Sequence, residues 1–505
     1  MERPDVVRPL GHIEMYSSSR HALGLYRGIA NACQYVVPAQ ALRSGSGSLK
    51  AVVESALART ILRLGSLRVG IIDEDTNKPC FTHIPSINLH DIIEWTVVKQ
   101  GGGSSDLESE LLRVIENRLD QAWCDMHLRP PWKLIVVEDS RRSAGGKDPV
   151  VLEMVFAAHH AISDGKSTAL LHAVLLEELN RASEPPSTLR DHVLSFHDSP
   201  VLAPTQEELV KFNISWSFLF RCLWDEFGPA WLKSQVPDRP WTGKAIALAP
   251  NGLNLRCVTI PSDVVQLVLT ACRSHSTTFT ALLHALVLCS LSARAPANVA
   301  TAFSSSTAIS LQPFARLPPG VNMDLSKFMT DMNTAMSHKF GAQVVAELRG
   351  VEPGASKENL VWRSAEALRA EIQRRLDTLP DDDITGLLAW VGDWRKHWLA
   401  LIGKPRDDTW SVSNIGSNRY NGGSGGDAEG WRIQRSIFTQ PAMVAGPAFA
   451  VNVSGVDGGV ITLTLNWQEG IVEAGLIEGI AGDLQAWFKH FKQTQTFGGF
   501  RGCSS

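Results

Sequence analysis

The chain has 505 residues, of which 44% are hydrophobic and 20% are charged, and its formal net charge is −4. This composition is typical of a globular protein with enough apolar residues for more than one core. The slight negative charge offers no basic surface for phosphates, which argues against a nucleic-acid partner. The sequence contains no apolar run of about eighteen residues that would predict a membrane span. The charged N-terminal residues lack an apolar segment, so we expect no signal peptide.

The cysteines are scattered and include no Cys-x-x-Cys pair; they lie at positions 33, 80, 124, 222, 257, 272, 289 and 503. This spacing predicts reduced core thiols rather than a disulfide framework or a zinc site. We therefore expect a cytoplasmic protein without a bound metal.

The first part of the chain predicts helices mixed with short strands. Amphipathic or apolar periodicity predicts helices over residues 22–37, 49–64, Ser105–Trp123 and Ser167–Ala182. Alternating or β-branched segments predict strands near Leu67–Ile72, Cys80–His83, 130–138 and Val150–Ala158. The last two strands are expected to pair across a polar loop.

The most informative segment follows the strand predicted to end at Ala158. It reads His159-His160-Ala161-Ile162-Ser163-Asp164-Gly165, or His-His-x-x-x-Asp-Gly. Histidine is the side chain best suited to take a proton from a hydroxyl near neutral pH. Adjacent side chains on an extended segment point in opposite directions, so the two histidines are not expected to share one role. The alternative for either histidine is a core position satisfied by backbone groups.

The second part of the chain begins near Leu253 and again mixes strands and helices. Strands are predicted over Leu255–Ile260, Asn298–Ser304, Trp410–Val412, Phe449–Val456 and Val460–Trp467. Helices are predicted over Ser262–Ser274, Thr277–Ala293 and Glu473–Phe491. Without a regular alternation of strand and helix, the pattern favours two mixed α/β domains of similar construction.

Two aromatic series recur at helical spacing. Trp390, Trp394 and Trp398 form one series; the other contains Phe212, Trp216, Phe220, Trp224 and Phe227. Side chains four residues apart share one face of a helix, and core packing is the simplest interpretation of both series. The alternatives are a wall of a pocket for an apolar substrate or a surface that docks on lipid.

The His-His-x-x-x-Asp-Gly motif resembles that of the CoA-dependent acyltransferase superfamily, which includes chloramphenicol acetyltransferase, plant BAHD acyltransferases and peptide-synthetase condensation domains. The sequence is most similar to the fungal alcohol O-acetyltransferase branch. Supporting segments are residues 8–16 (RPLGHIEMY), 20–26 (RHALGLY), 49–71, 264–286 and Ser413-Asn414-Ile415-Gly416. The resemblance implies a mixed α/β fold of two chloramphenicol-acetyltransferase-like domains, a pseudo-dimer with the active-site channel between them. The expected divisions are residues 1–190, a linker and crossover helix over 191–250, and residues 251–505.

The resemblance also implies a reaction. Acetyl-CoA, a co-substrate rather than a bound cofactor, would donate an acetyl or short acyl group to the hydroxyl of an apolar alcohol, a secondary metabolite. His160 would act as general base within a ternary complex in a monomeric enzyme. His159 would be structural, and Gly165 would let the backbone pass close to the channel. Ser413 and Asn414 are candidate donors to the oxyanion, with residues 301–307 (TAFSSST) as a second candidate.

The resemblance implies a structural role for Asp164, which in relatives holds the active-site loop through a salt bridge. Relatives often carry a positively charged residue where this chain has Gln312. If that residue contacts the aspartate in relatives, this chain must use another partner for Asp164, and Arg316 or Arg419 could serve. Two other functions remain open. One is an acyltransferase that takes its acyl group from a carrier protein, as condensation domains do. The other is a non-catalytic binding or assembly module.

Overall fold

A computed structural model describes residues 5–43, 46–98, 104–139, 149–181, 184–228, 240–249, 252–420 and 430–500. In chain order, the strands are β1 (Val6–Pro9), β2 (Ile29–Val36), β3 (Val69–Ile72), β4 (Cys80–His83), β5 (Ser86–Asn88), β6 (Ile93–Val98), β7 (Trp132–Asp139), β8 (Val151–Ala158), β9 (Leu189–Arg190), β10 (Val193–Ser195), β11 (Leu253–Ile260), β12 (Phe303–Ser310), β13 (Asn333–Phe340), β14 (Trp410–Asn418), β15 (Arg432–Thr439), β16 (Phe449–Val456) and β17 (Ile461–Gln468).

The α-helices, also in chain order, are α1 (His12–Ala22), α2 (Ala39–Arg43), α3 (Ser46–Arg63), α4 (Leu89–Ile92), α5 (Ser104–Leu119), α6 (Gly165–Asn180), α7 (Gln206–Leu209), α8 (Trp216–Phe227), α9 (Ser262–Ser274), α10 (Phe279–Arg294), α11 (Ala342–Gly350), α12 (Ala355–Thr378), α13 (Trp394–Leu399) and α14 (Ala474–Thr494). Short 3-10 turns lie over Gly65–Arg68, His160–Ile162, Gln312–Phe314, Leu325–Lys327 and Ile384–Trp390.

The first large sheet has the strand order β15-β2-β8-β7-β6. Its central strand β8 pairs antiparallel with β2 and β7, and β6 runs parallel to β7. Helices α3 and α6 cover one face of the sheet, whereas α5 covers the other. Because both faces are covered, every residue of β8 is buried, which explains its continuous apolar sequence.

The second large sheet has the strand order β11-β17-β16-β14-β12-β13, and all six strands come from residues 253–468. Helices α9, α10, α12 and α14 pack with this sheet around the largest hydrophobic cluster. Two small three-stranded sheets, β1-β4-β3 and β5-β10-β9, complete the first half of the chain.

One strand joins the two halves. Although β15 comes late in the chain, it pairs antiparallel with β2 and forms an edge of the first sheet. The predicted divisions at residues 190 and 250 remain predictions. The predicted linker includes the twelve-residue helix α8, and part of it, residues 229–239, lies outside the described residues.

Several sequence predictions agree with the structure, including α9, β4 and β16 with their predicted bounds and the antiparallel pairing of β7 with β8. The helix predicted over 22–37 is wrong, because Ile29–Val36 forms the nearly fully buried strand β2. The strand predicted over Asn298–Ser304 begins later in the sequence, at Phe303.

None of the seven described cysteines forms a disulfide, and four of them are buried, namely Cys33, Cys257, Cys272 and Cys289. Cys124 is exposed, so the prediction of core thiols does not hold for every cysteine. Across the described residues, no single helix has both the length and the apolarity to cross a membrane. The adjacent helices α9 and α10 reach that threshold only together, and they bend by 95°.

Candidate active site

The histidine pair lies at the end of the buried strand β8. The chain leaves β8 with His159 in an extended conformation, makes one 3-10 turn over His160–Ile162, and enters α6 at Gly165. Because β8 is central and paired on both sides, its end is a rigid support. The strand and the helix together fix the motif from both directions.

His160 lies between a tyrosine and an aspartate. Its Nδ1 is 3.2 Å from Oδ2 of Asp331, and the Tyr26 ring packs edge-on at 5.4 Å between centroids. The Tyr26 hydroxyl donates to Oε1 of Gln440 at 2.9 Å, which fixes that ring. The hydrogen-bond partner of the His160 ring is therefore a carboxylate and not a backbone group. The His160 side chain is 14% exposed.

Asp331 reaches the site from the second half of the chain, just before β13. Its side chain is fully buried. Oδ2 accepts the Ser17 hydroxyl at 2.9 Å, and Oδ1 accepts Nδ2 of Asn333 at 2.6 Å. Asp331 was not among the residues predicted from the sequence, because its surroundings, Met329-Thr330-Asp331-Met332-Asn333, match no motif.

Asp164 holds the motif through backbone groups. It is the N-cap of α6, where Oδ1 accepts the Ser167 N–H at 2.8 Å, and its Oδ2 accepts the Met332 N–H at 3.3 Å. Burial, and then the negative charge of Asp331, raise the pKa of Asp164 to about 6. The carboxylate is thus held without a neutralising cation nearby.

The prediction of an arginine partner for Asp164 is wrong. Arg419 pairs instead with Asp457, with 2.9 Å between Nε and Oδ2, and Arg316 donates to the carbonyl oxygens of Pro313 and Ala315. Within the described chain, Asp164 forms no ion pair. The backbone N–H groups at the start of α6 and at Met332 provide the stabilisation that a cation would otherwise supply.

Gln312, at the position where relatives often carry a cation, donates from Nε2 to the Thr330 hydroxyl at 3.3 Å. It therefore contacts the same segment that carries Asp331. The glutamine supports this segment by a neutral hydrogen bond and not by charge.

His159 points away from His160 into a buried cluster. Its Nε2 is 2.9 Å from Oε1 of Glu74, and Nδ1 of His21 is 2.9 Å from Oε2 of the same carboxylate. Burial alone would raise the pKa of Glu74, but hydrogen bonds from the two histidines lower it to about 2. Burial lowers the pKa of His159 to about 4, so the pair at neutral pH is a carboxylate and a neutral ring.

The three side chains of His21, Glu74 and His159 are close enough to resemble a metal site. However, the other ring nitrogens already accept backbone N–H groups, His21 Nε2 from Trp123 and His159 Nδ1 from Ala161, both at 3.0 Å. The nitrogens that face Glu74 must therefore carry the hydrogens of neutral rings and have no lone pair for a metal. The arrangement fits a structural hydrogen-bonded cluster.

A cavity of about 110 Å³ adjoins His160. Residues of both halves line it: His160, Asp164, Gly165, Lys166, Ala308, Ile309, Ser310, Met332, Asn333, Ser413, Asn414, Ile415, Phe438 and Gln440. The structure thus brings Asp164, Gly165, Ser413 and Asn414 together beside His160. A molecule in this cavity would contact the histidine and β14 at once.

The two predicted oxyanion donors differ in their hydrogen bonds. The Asn414 amide donates to Thr280 Oγ1 at 3.0 Å and accepts the Gly416 N–H at 2.8 Å, so it already serves the local fold. Among the described contacts, the Ser413 hydroxyl makes no hydrogen bond and is the better placed of the two. In the alternative segment 301–307, Ser305 and Thr307 bond the buried His284 ring at 2.9 Å each and do not line the cavity.

Comparisons with known proteins agree on one family. The family model described as alcohol acetyltransferase matches residues 9–475. A probable alcohol acetyltransferase of Fusarium pseudograminearum is 30% identical over 490 residues, covering 96% of this chain and 95% of that protein. A probable alcohol acetyltransferase of Aspergillus fumigatus is 25% identical over 496 residues, covering 95% and 99%.

Solved structures support the fold. The trichothecene 15-O-acetyltransferase of Fusarium sporotrichioides superposes with a TM-score of 0.64 at 14% identity, covering 96% of this chain and 94% of that one. The condensation domain of the monacolin K polyketide synthase gives a TM-score of 0.54 at 12% identity, covering 98% and 99%. The predicted mixed α/β fold of the chloramphenicol-acetyltransferase type is confirmed.

Proposed function

Because the chain belongs to the alcohol acetyltransferase family, we propose that it transfers an acetyl or short acyl group from acetyl-CoA to the hydroxyl of an apolar alcohol. The observation that carries this proposal is the position of His160 beside a cavity lined by both halves of the chain. The apolar side chains of Ile309, Ile415 and Phe438 on that cavity support an apolar acceptor, such as a secondary metabolite.

The proposed reaction proceeds within a ternary complex. His160 takes the proton of the acceptor hydroxyl while the alcohol oxygen attacks the thioester carbonyl carbon. The tetrahedral intermediate collapses with cleavage of the carbon–sulfur bond, and the imidazolium returns its proton to the CoA thiolate. The products are an ester and free CoA, so no other acid or redox partner is required. The Ser413 hydroxyl is the proposed donor to the oxyanion.

The direct test is alcohol-dependent release of free thiol from acetyl-CoA, measured with a thiol reagent across a panel of apolar alcohols. We expect His160→Ala to lower the rate at least about 10²-fold, because the base is lost, while circular dichroism shows the fold of wild type. His197→Ala removes an exposed histidine and serves as the matched control with unchanged activity. Full activity of the His160 variant would refute the proposed mechanism.

A carrier-protein-bound acyl donor is the second candidate, favoured by the similarity of the fold to condensation domains. The same assay separates the two donors. Transfer from an acylated carrier protein, with no thiol release from any acyl-CoA, would support the second candidate. A protein that uses neither donor but still binds small molecules would support a binding module.

A further inference from the structure

We propose that Asp331 is a positioning residue for the base, accepting the Nδ1–H of His160 so that the lone pair lies on Nε2, and stabilising the imidazolium formed during proton transfer. This inference rests on the proposed function, in which His160 is the base. It concerns the residue from the second half of the chain that the family motif does not include.

The first argument is the geometry of the carboxylate. Oδ2 of Asp331 lies 3.2 Å from Nδ1 of His160 in a fully buried position. The carboxylate also accepts two neutral donors, the Ser17 hydroxyl and the Asn333 amide. In the described part of the chain, no lysine or arginine pairs with Asp331, so the imidazole is the one basic group that the carboxylate meets.

The second argument is the protonation state that this geometry requires. An ionised carboxylate can only accept hydrogen bonds, so the contact with His160 requires the hydrogen on Nδ1. A neutral ring with its hydrogen on Nδ1 carries its lone pair on Nε2, the nitrogen that then acts as base. When Nε2 takes a proton, the ring becomes positive beside a buried negative charge, which lowers the energy of that state.

The third argument is that the segment carrying Asp331 is fixed to the motif itself. The Asp164 N–H donates to the Thr330 carbonyl at 3.0 Å, while the Asp164 carboxylate accepts the Met332 N–H. The Ser167 hydroxyl accepts the Thr330 N–H at 2.8 Å. These bonds on both sides of Asp331 hold its carboxylate at a constant position relative to the histidine. The role of Asp164 is thus to support Asp331 through the backbone.

The test compares wild type with Asp331→Asn, which keeps the shape of the side chain and removes its charge. We expect kcat to fall by about 10²-fold or more, within the range for a displaced general base, while KM for the alcohol changes little. The acid limb of kcat/KM should move to lower pH by on the order of one unit, because the charge that favours the imidazolium is gone. The charge of Asp331 also raises the pKa of Asp164, so the shift is assigned to His160 only if the His160 ring signals move with pH in the same way in nitrogen NMR.

The matched control is Asp483→Asn, since Asp483 is another buried carboxylate, bonded by Ser290 and Arg294 in the second half. We expect this variant to lose stability without moving the acid limb.

Ser17→Ala removes one donor to Asp331 and should lower kcat by about 3–10-fold, the equivalent of one neutral hydrogen bond. An Asp331→Asn enzyme with wild-type kcat and an unmoved acid limb would overturn the proposal.

A second measurement does not depend on turnover. Nitrogen NMR of the histidine-labelled full chain reports which ring nitrogen carries the hydrogen, and the His160 signal is assigned by its loss in His160→Ala. We expect the Nδ1–H form in wild type. An Nε2–H form would overturn the role of Asp331 even if Asp331→Asn does not fold. A wild-type protein with the Nδ1–H form but no acyl transfer would instead contradict the proposed function.

Discussion

At the scale of single residues, Gly165 shows how closely the two halves of the chain approach each other at the site. A β-carbon built on Gly165 would lie 2.5 Å from Cγ2 of Ile415 and 3.0 Å from Cζ of Phe438. Both neighbours line the cavity beside His160. Since Gly165 is the last residue of the motif and the first of α6, a side chain there must displace the cavity wall or the helix.

We therefore expect Gly165→Ala to lower the free energy of unfolding by about 1–3 kcal/mol, the usual cost of overpacking, and to lower acyl transfer as well. Equilibrium urea unfolding measures the first effect and the thiol assay the second. Gly482→Ala is the control, because an added β-carbon there meets no atom within 4 Å. Within α14, that substitution should stabilise by about 0.5–1 kcal/mol. Equal stability of the two variants would contradict the close approach.

The site was only partly predictable at this scale. His160, Asp164 and Gly165 occur in one short segment, so a single sequence pattern identifies them. Asp331 lies 171 positions after His160 in a segment without such a pattern, and only the fold brings the two together. The arginine partner predicted for Asp164 was wrong because backbone N–H groups, which any sequence supplies, take the place of the cation.

At the scale of elements, the periodicity of the sequence did not always predict the type of an element or its burial. The sequence predicts an amphipathic helix over residues 22–37, yet Ile29–Val36 forms the strand β2, which is covered on both faces. A strand buried on both faces has no polar alternation, so its sequence does not distinguish it from a buried helix. The same ambiguity did not affect α9, where one polar face marks the helix.

The two aromatic series separate in the structure. Trp394 and Trp398 are 6% and 4% exposed and pack beside Tyr16, as core packing predicts. Trp390, the first member of that series, is 65% exposed and ends the 3-10 turn before α13, so the core interpretation is wrong for it. In contrast, Trp216 and Phe220 on α8 are 75% and 64% exposed, so the core interpretation is wrong for that helix. Spacing of four residues is compatible with a common helix face, but the fold decides whether one helix carries the whole series and whether another element covers it.

This difference predicts opposite effects of similar substitutions. Trp216→Ser and Phe220→Ser should change the free energy of unfolding by no more than about 0.5 kcal/mol, as for other exposed positions. Trp398→Ala should cost about 3–5 kcal/mol, because it leaves a cavity and removes the indole N–H that donates to the Ser19 hydroxyl. Urea unfolding of the three variants provides the comparison. A loss above about 2 kcal/mol in Trp216→Ser would mean that the α8 face is covered in the protein.

At the scale of the whole molecule, the two large sheets are joined by the edge of β15. One edge of β15 pairs with β2 of the first sheet. At its other edge, side chains of the second sheet replace a neighbouring strand: Ser454 Oγ accepts the Phe438 N–H at 3.0 Å, and Thr464 Oγ1 donates to the Phe438 carbonyl at 2.8 Å. Hydroxyl groups thus satisfy an edge that would otherwise expose unpaired backbone groups. The family resemblance predicted two similar domains, but no local pattern showed that a late strand completes the first sheet.

This arrangement makes the hydroxyl of Thr464 a test of the coupling between the halves. Thr464→Val keeps the shape of the side chain but leaves the buried Phe438 carbonyl and one N–H of Asn452 without this partner. We expect the free energy of unfolding to fall by about 1–3 kcal/mol, the cost of unsatisfied buried polar groups. Hydrogen exchange should also become faster in β2, although β2 belongs to the other half of the chain, because β15 is its neighbour.

Thr270→Val is the matched control. The Thr270 hydroxyl also donates to a backbone carbonyl, that of Gln266 at 2.8 Å, but it does so on the exposed side of α9. Water can replace this bond, so the free energy of unfolding should change by no more than about 0.5 kcal/mol, with no effect on exchange in β2. If Thr464→Val behaved like this control, the hydroxyl contacts would not couple the sheets. The coupling between the halves would then rest on the β2–β15 ladder and on the contacts of the Asp331 segment with Ser17 and Asp164.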